Sequence, residues 1–205
     1  MSVESTEDSN SVNVLTLVEA DPRWKKVHIR EQKEGWCGAG TLHVAMKYAH
    51  LFKKDTNSSF YTKFKVPTQE EINDQIYVDW YGAPNVLASA YLSRFFSDMG
   101  SKGNASLEDL YEHVNQGHIV IVDWWDDFPP PADGHYCIVA GYNRDMDTLT
   151  FVDTYGDRGI WHIDIERFEK QWFDYEGFQQ QDGLKTIRWF MWLDPASLDF
   201  DCTTK

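Results

Sequence analysis

Gly134-His135-Tyr136-Cys137-Ile138-Val139-Ala140-Gly141-Tyr142 reads as a single strand: β-branched and aromatic residues between glycines, with one histidine at its start. Upstream lies a second β-rich run, His118-Ile119-Val120-Ile121-Val122-Asp123-Trp124. The stretch between them, Asp126 to Asp133, holds Pro129, Pro130 and Pro131 and is therefore a loop. Downstream, strands are expected at about 148–153 and 159–163, with Asp145 to Thr148 making the hairpin before the first of them. Asp164 to Phe173 reads as a helix capped by Asp164, and Thr186 to Leu193 as a final strand.

The half of the chain before this block looks helical. After Trp36-Cys37-Gly38, apolar positions Leu42, Ala45, Met46 and Ala49 recur at three- and four-residue steps, the mark of a buried helix face. Thr68-Gln69-Glu70-Glu71 has the form of a capping box. Pro84 followed by Val86, Leu87, Ala90, Tyr91, Arg94 and Phe95 predicts a third helix ending near Gly100. Ser106 with Glu108 and Asp109 opens a fourth, stopped by Gly117. Helices first and antiparallel strands second make an α+β pattern. One domain over 13–198 is expected, between a disordered acidic tail at 1–12 and a short tail at 199–205.

The chain has 205 residues, enough to bury a core without a metal or disulfide staple. Nineteen Lys and Arg against 33 Asp and Glu give a net charge of −14. That disfavours nucleic acid, whose phosphates demand clustered cations, and an anionic membrane surface. No apolar run of about 20 residues is present to cross a membrane. The start, Met1 to Val12, lacks the cationic and apolar regions of a signal peptide, so a cytoplasmic location is expected. Three scattered cysteines, Cys37, Cys137 and Cys202, make no disulfide framework and raise the question of a reactive thiol.

Gly35-Trp36-Cys37-Gly38-Ala39-Gly40 runs directly into the first helix. A cysteine there sits among unpaired N–H groups at the positive end of the dipole, which favours thiolate over thiol. The small residues after it allow another chain to approach closely. A core cysteine with turn glycines reads equally well on this motif alone. His135 at a strand start has the fixity that a general base needs, although a lone strand histidine is often structural. Asp153 closes the strand expected to pair with the histidine strand, where a carboxylate can fix the imidazole tautomer; turn aspartates are also common there. Together, Cys37, His135 and Asp153 make a possible nucleophile–base–orienter triad.

With these residues in view, the chain resembles the papain-like superfamily. Within it, the resemblance is to bacteriocin-leader-processing (double-glycine) cysteine peptidases in a stand-alone form, without the transporter. The matching residues are Gln32, Cys37-Gly38-Ala39-Gly40, Gly117 to Val122, Gly134-His135-Tyr136 through Gly141-Tyr142, and Phe151-Val152-Asp153-Thr154. The resemblance implies a helical half carrying Cys37, packed on an antiparallel sheet carrying His135 and Asp153. It implies Cys37 as nucleophile, His135 as base and Asp153 as orienter. Gln32 and the Cys37 backbone N–H would then donate to the oxyanion. Gln32 precedes Cys37 by five residues, where the family usually has six; Ala39-Gly40 and Thr154 also depart from its pattern. The implied activity is hydrolysis of a peptide or isopeptide bond in a peptide or protein substrate, with no cofactor.

Two other assignments fit the same residues. Acyl transfer to an amine, as in transglutaminase-like or phytochelatin-synthase-like proteins, shares the Cys–His–Asp order. A non-catalytic peptide-binding module of the same fold is the third. Cys137 is a rival nucleophile on the same strand face as His135, but a core cysteine suits it better. The seven histidines show no metal-ligand spacing, so no metal is expected. Trp36, Gly38, Trp124, Trp125 and Gly134 are candidate walls of a peptide groove, with core roles open for the tryptophans. Asp123, Asp126 and Asp127 form an acidic cluster suited either to a basic substrate residue or to a solvated loop.

Overall fold

The computed structural model describes residues 16–31, 33–56, 64–79, 82–127, 133–175 and 185–199. The acidic start at 1–12, Gln32, the prolines at 129–131 and Cys202 lie outside them.

The main sheet is antiparallel throughout. Its strands are β1 (Leu17–Val18), β2 (Met99–Lys102), β3 (Ile119–Asp126), β4 (Asp133–Asn143), β5 (Thr148–Asp153), β6 (Gly159–Asp164) and β9 (Phe190–Leu193). They lie in the order β2-β9-β3-β4-β5-β6, with β1 added along β4. A separate pair joins β7 (Phe173–Tyr175) to β8 (Lys185–Ile187). The described helices are α1 (Cys37–Thr56), α2 (Gln69–Ile76), α3 (Asn85–Leu92), α4 (Leu107–Asn115) and α5 (Ile165–Gln171).

The caps follow the sequence reading. Thr68 and Glu71 form a reciprocal box at α2, and Ser106 and Asp109 do so at α4. The Asp164 carboxylate accepts from the Arg167 N–H at α5. Two elements differ from expectation. The third helix stops at Leu92 instead of near Gly100, and Met99–Lys102 becomes an edge strand on β9. Phe95 and Phe96 continue the apolar pattern but are buried after the helix has ended. At Gly100 the Trp192 ring fills the place of a side chain, so tertiary packing overrides local propensity. The expected 186–193 strand is split, because Arg188 takes a left-handed φ of +49° and swings the chain from one sheet to the other.

The sheet is covered on both faces, not on one. Ile119, Ile121, Tyr136, Ile138 and Val152 share a core with Leu42, Ala45, Met46 and Ala49 of α1. The alternate residues Val120, Val122, Trp124, Cys137, Val139 and Phe151 share the other with Leu110 and Val114 of α4, Phe168 of α5 and Trp172 just after it. In β3, Ile119 to Trp124 are therefore all buried. Thr41 Oγ1 donates to the Tyr136 carbonyl at 3.0 Å, which pins the first turns of α1 to β4 one residue beyond His135. The architecture is α+β, as the sequence implies.

Candidate active site

Cys37 is the first residue of α1 and is partly exposed. The glycines around it serve close approach, but the chain that approaches is the protein's own. A Cβ on Gly38 would lie 2.6 Å from Ala83 Cβ and 3.6 Å from the Tyr136 ring. One on Gly40 would lie 3.0 Å from Thr154 Oγ1 and 3.4 Å from Glu31 Cβ. Gly38 is thus buried packing and not an open groove wall.

His135 is buried at the start of β4, and Cys37 is among the neighbours that act on its side chain. On its far side, Nε2–H donates to Asp153 Oδ1 at 2.8 Å. With Nε2 so occupied, Nδ1 is the nitrogen left for a thiol. The sheet register explains the encounter. Ile138 faces Val152, so Asp153 lies across from Cys137 and diagonal to His135 on the same face.

Asp153 is completely buried and fully bonded. Oδ1 also accepts the Tyr155 N–H at 2.9 Å, while Oδ2 accepts from Arg158 Nη1 at 3.0 Å and Trp161 Nε1 at 3.2 Å. Burial alone would raise its pKa, but His135 by hydrogen bond and charge, then Tyr155 N–H and Arg158, hold it at about 2. Burial pulls the His135 pKa down; Cys137, then the Asp153 bond, with Cys37 last, overcome that and raise it well above the ordinary value. Cys137 itself stays a thiol, because burial pushes it up to about 12. At neutral pH the charge that holds an imidazolium is therefore Asp153.

Cys137 also lies beside the His135 ring. Its sulfur, a His135 nitrogen and an Asp153 oxygen lie within 4.8 Å of one another. That is the span of a metal cage, yet the Asp153 lone pairs are committed to His135, Tyr155 N–H, Arg158 and Trp161. Cys137 has no exposed surface, and Trp124 Nε1–H donates to its sulfur at 3.4 Å. Cys137 lies in the core, whereas Cys37 is partly exposed.

The remaining residues predicted from sequence separate. Trp124 is fully buried among Phe151, Trp161 and Phe168, so it is core and not a groove wall. Strand alternation could not decide this, because both faces of the sheet are covered. Trp125 is partly exposed and stacks on Phe173 at 6.0 Å, with Tyr175 edge-on at 4.9 Å. Trp36 is partly exposed under the Lys33 ammonium, 4.3 Å from its ring. Gly134 has the Asp174 carboxyl where a side chain would be. The expected acidic cluster is dispersed: Asp126 pairs with Arg158, Asp127 with Arg167 at 2.7 Å, and Asp123 is buried. Burial, then the Asp174 charge, push Asp123 well above the usual carboxylate range, against the 2.8 Å bond from Asn85 Nδ2.

Sequence reading missed Tyr155, Arg158 and Trp161 around Asp153. Trp161 carries a signal: Asp153 faces Gly159, so a residue two further along β6 shares its face. It also missed Glu31, which is half-buried in the loop before α1. Burial chiefly, with Asp153 and Glu34 adding and His135 opposing, pushes the Glu31 carboxyl up to about 7.

The comparisons with known proteins agree with this fold. The model of the Peptidase_C39 like family matches residues 24–181. A C39-like peptidase structure from Bacillus anthracis superposes with a TM-score of 0.54 at 16% identity, covering 82% of this chain and 94% of that one. The peptidase domain of Streptococcus ComA, a bifunctional ABC transporter involved in quorum sensing, superposes with a TM-score of 0.52 at 11% identity, covering 82% and 97%. At such identities the two structures bear on the fold alone. No curated protein matches the chain. With more than half of its residues matched by the family model, and with the fold of C39 peptidase domains, this chain belongs to the Peptidase_C39 like family.

Proposed function

We propose that this protein is a cysteine hydrolase of peptide or isopeptide bonds, with Cys37 as nucleophile, His135 as general base and acid, and Asp153 as orienter. The observation that carries the reading is the position of the His135 ring, bonded through Nε2 to the buried Asp153 at 2.8 Å, with the partly exposed Cys37 thiol among the neighbours that raise its pKa.

In the first step His135 takes the Cys37 proton, and the imidazolium is held by the buried Asp153 carboxylate. Sulfur attacks the substrate carbonyl carbon, a C–S bond forms, and the carbonyl electron pair moves onto oxygen. Collapse of that oxyanion breaks the C–N bond, and His135 returns its proton to the leaving amine. Water, with its proton taken by His135, then releases the acyl group. The first turn of α1 supplies unpaired N–H groups beside the sulfur.

Labelling with an electrophilic peptide library tests the reading. Mass mapping is expected to find adducts on Cys37, and Cys37→Ala and His135→Ala each to abolish hydrolysis. Full turnover by Cys37→Ala removes the enzymatic assignment. An added amine, if it captured most of the acyl group, would assign the protein to acyl transfer. Among the described residues no helix is long and apolar enough to cross a membrane. We place the activity in a reducing, cytoplasm-like compartment, since Cys37 and Cys137 are both free thiols.

A further inference from the structure

A cleft of about 590 Å³ opens between the loop that enters α1 and the turn that follows β5. Arg30 and Lys33 line it from the loop and Lys47 from α1. Against these three cations the wall sets Glu34 and Glu31, and burial pushes the Glu31 carboxyl up to about 7, so it carries little charge below neutrality. In a chain of net charge −14 this is a local reversal of sign, and exposed charges beyond about 10 Å are largely screened from it at ordinary salt. Among the described residues neither Lys33 nor Lys47 makes an ion pair. Lys33 is held over the Trp36 ring at 4.3 Å, and Arg30 has the exposed Asp157 at 3.6 Å. Lys47 stands one turn beyond His43 on α1, and His43 Nδ1–H donates to the Pro67 carbonyl at 2.7 Å. Burial lowers the His43 pKa, the Pro67 bond opposes it, and Lys47 and His28 lower it further, so positive groups crowd one another here.

We propose that this cleft seats acidic side chains of the peptide substrate, which pair with Lys33 and Lys47. The inference deepens the hydrolase reading and rests on it. The Glu31 N–H donates to the Thr154 carbonyl at 2.8 Å, which joins loop and turn beside Asp153. Tyr155 lines the cleft from that turn, and its ring meets the His135 ring edge-on at 5.9 Å. One end of the cleft is therefore next to the base. An extended peptide rises about 3.3 Å per residue, so a substrate bound at His135 and continuing over Tyr155 brings side chains a few residues from the scissile bond above the cations. A carboxylate there gains charge-assisted hydrogen bonds and relieves the repulsion among the positive groups. A basic side chain meets the same groups and is turned away. The backbone that presents Arg30 is fixed from below, because the buried Gln69 donates through Nε2 to the Arg30 carbonyl at 2.7 Å.

Two measurements separate the cleft from the chemistry. In Cys37→Ala protein, where no turnover is expected, the anisotropy of dansyl-hexaglutamate against dansyl-hexaglutamine reads binding alone. Hexaglutamate is expected to bind more tightly. Lys33→Ala and Lys47→Ala each weaken it by about 2–5-fold, the worth of a partly exposed ion pair, and the two together compound the loss. Lys47→Arg retains the affinity, and Lys170→Ala, whose lysine pairs with Glu166 on α5, leaves it unchanged. With Cys37 intact, the peptides cleaved from a random library are expected to carry Asp or Glu a few residues from the cut bond. Joint replacement of Lys33 and Lys47 by Ala raises KM for those peptides and leaves kcat as it was. Equal binding of the two probes, an affinity indifferent to both lysines, or cleavage without acidic preference each overturns the role of the cleft. Lysine-dependent binding in a protein that cleaves no peptide overturns the hydrolase reading instead, and leaves the cleft an anion site without a substrate.

Discussion

His135 and Asp153 meet at 2.8 Å inside the sheet, eighteen residues apart in sequence but diagonal neighbours on adjacent strands. The imidazole is thereby fixed in one tautomer with one nitrogen left over. Asp153→Asn preserves the shape and presents a neutral amide in place of the carboxylate. Its kcat/KM at pH 7 is expected to fall by roughly 10²–10⁴-fold, with residual turnover left. Steady-state kinetics against the wild type measures this, and an undiminished rate removes Asp153 from the mechanism.

Two cysteines act on the His135 ring, and their reactivities are expected to diverge. Iodoacetamide near neutral pH should alkylate Cys37 and leave Cys137 untouched, since Cys137 has no exposed surface and is held as a thiol to about pH 12. Peptide mapping after brief exposure reads the sites. Cys137 is expected to react only once denaturant opens the core. Preferential labelling of Cys137 in the native protein would reverse the assignment of nucleophile.

Acidic and neutral pH should act on stability through different carboxyls. Asp153 is depressed to about 2 in the folded state, so its contribution is complete above its unfolded value and is lost as pH falls from about 4 towards 2. The size is about 2 kcal/mol for a buried group shifted this far. Glu31 is raised to about 7, so its contribution is present below its unfolded value and declines as pH rises through about 7. Denaturant melts from pH 2 to 8 are expected to flatten at the acid end in Asp153→Asn and at the neutral end in Glu31→Gln. Curves that coincide with the wild type contradict both shifts.

Gly38→Ala tests how tightly the nucleophile's helix is seated. The new methyl would lie 2.6 Å from Ala83 Cβ, and the Tyr136 ring closes the other side. Overpacking of this kind costs about 1–3 kcal/mol. A lowered Tm is expected, together with a fall in Cys37 reactivity, because relief of the clash moves the end of α1. Calorimetry and alkylation rates check the two effects separately.

Much of this site was legible in the chain because its parts obey local rules. The two capping boxes, the period-three-and-four face of α1 and the hairpin of β4 with β5 all follow from neighbouring residues. The bulge between Val139 and Gly141 shifts that hairpin's register by one and so puts His135 and Asp153 on one face, which alternation counted from the turn does not. What escaped depends on distant packing. Met99–Lys102 has no strand signature and becomes β2 because β9 offers an edge. The turn at Arg188 requires a left-handed backbone that arginine does not announce. Trp124 went to the core because a sheet covered on both faces erases the distinction between inward and outward positions. The partners of Asp153 were hidden for a different reason: Arg158 reaches it from the turn before β6, where spacing carries no period.

That turn divides the tolerances of the site in two. Tyr155, Arg158 and Trp161, all within eight residues of Asp153, hold its carboxylate through short-range geometry that any correctly closed β5–β6 turn reproduces. The gap between sulfur and ring has no such local guarantee, since α1 and β4 are nearly a hundred residues apart and meet through bonds such as Thr41 to Tyr136. Small displacements of the helix thus change the separation of the reacting atoms while the imidazole keeps its aim.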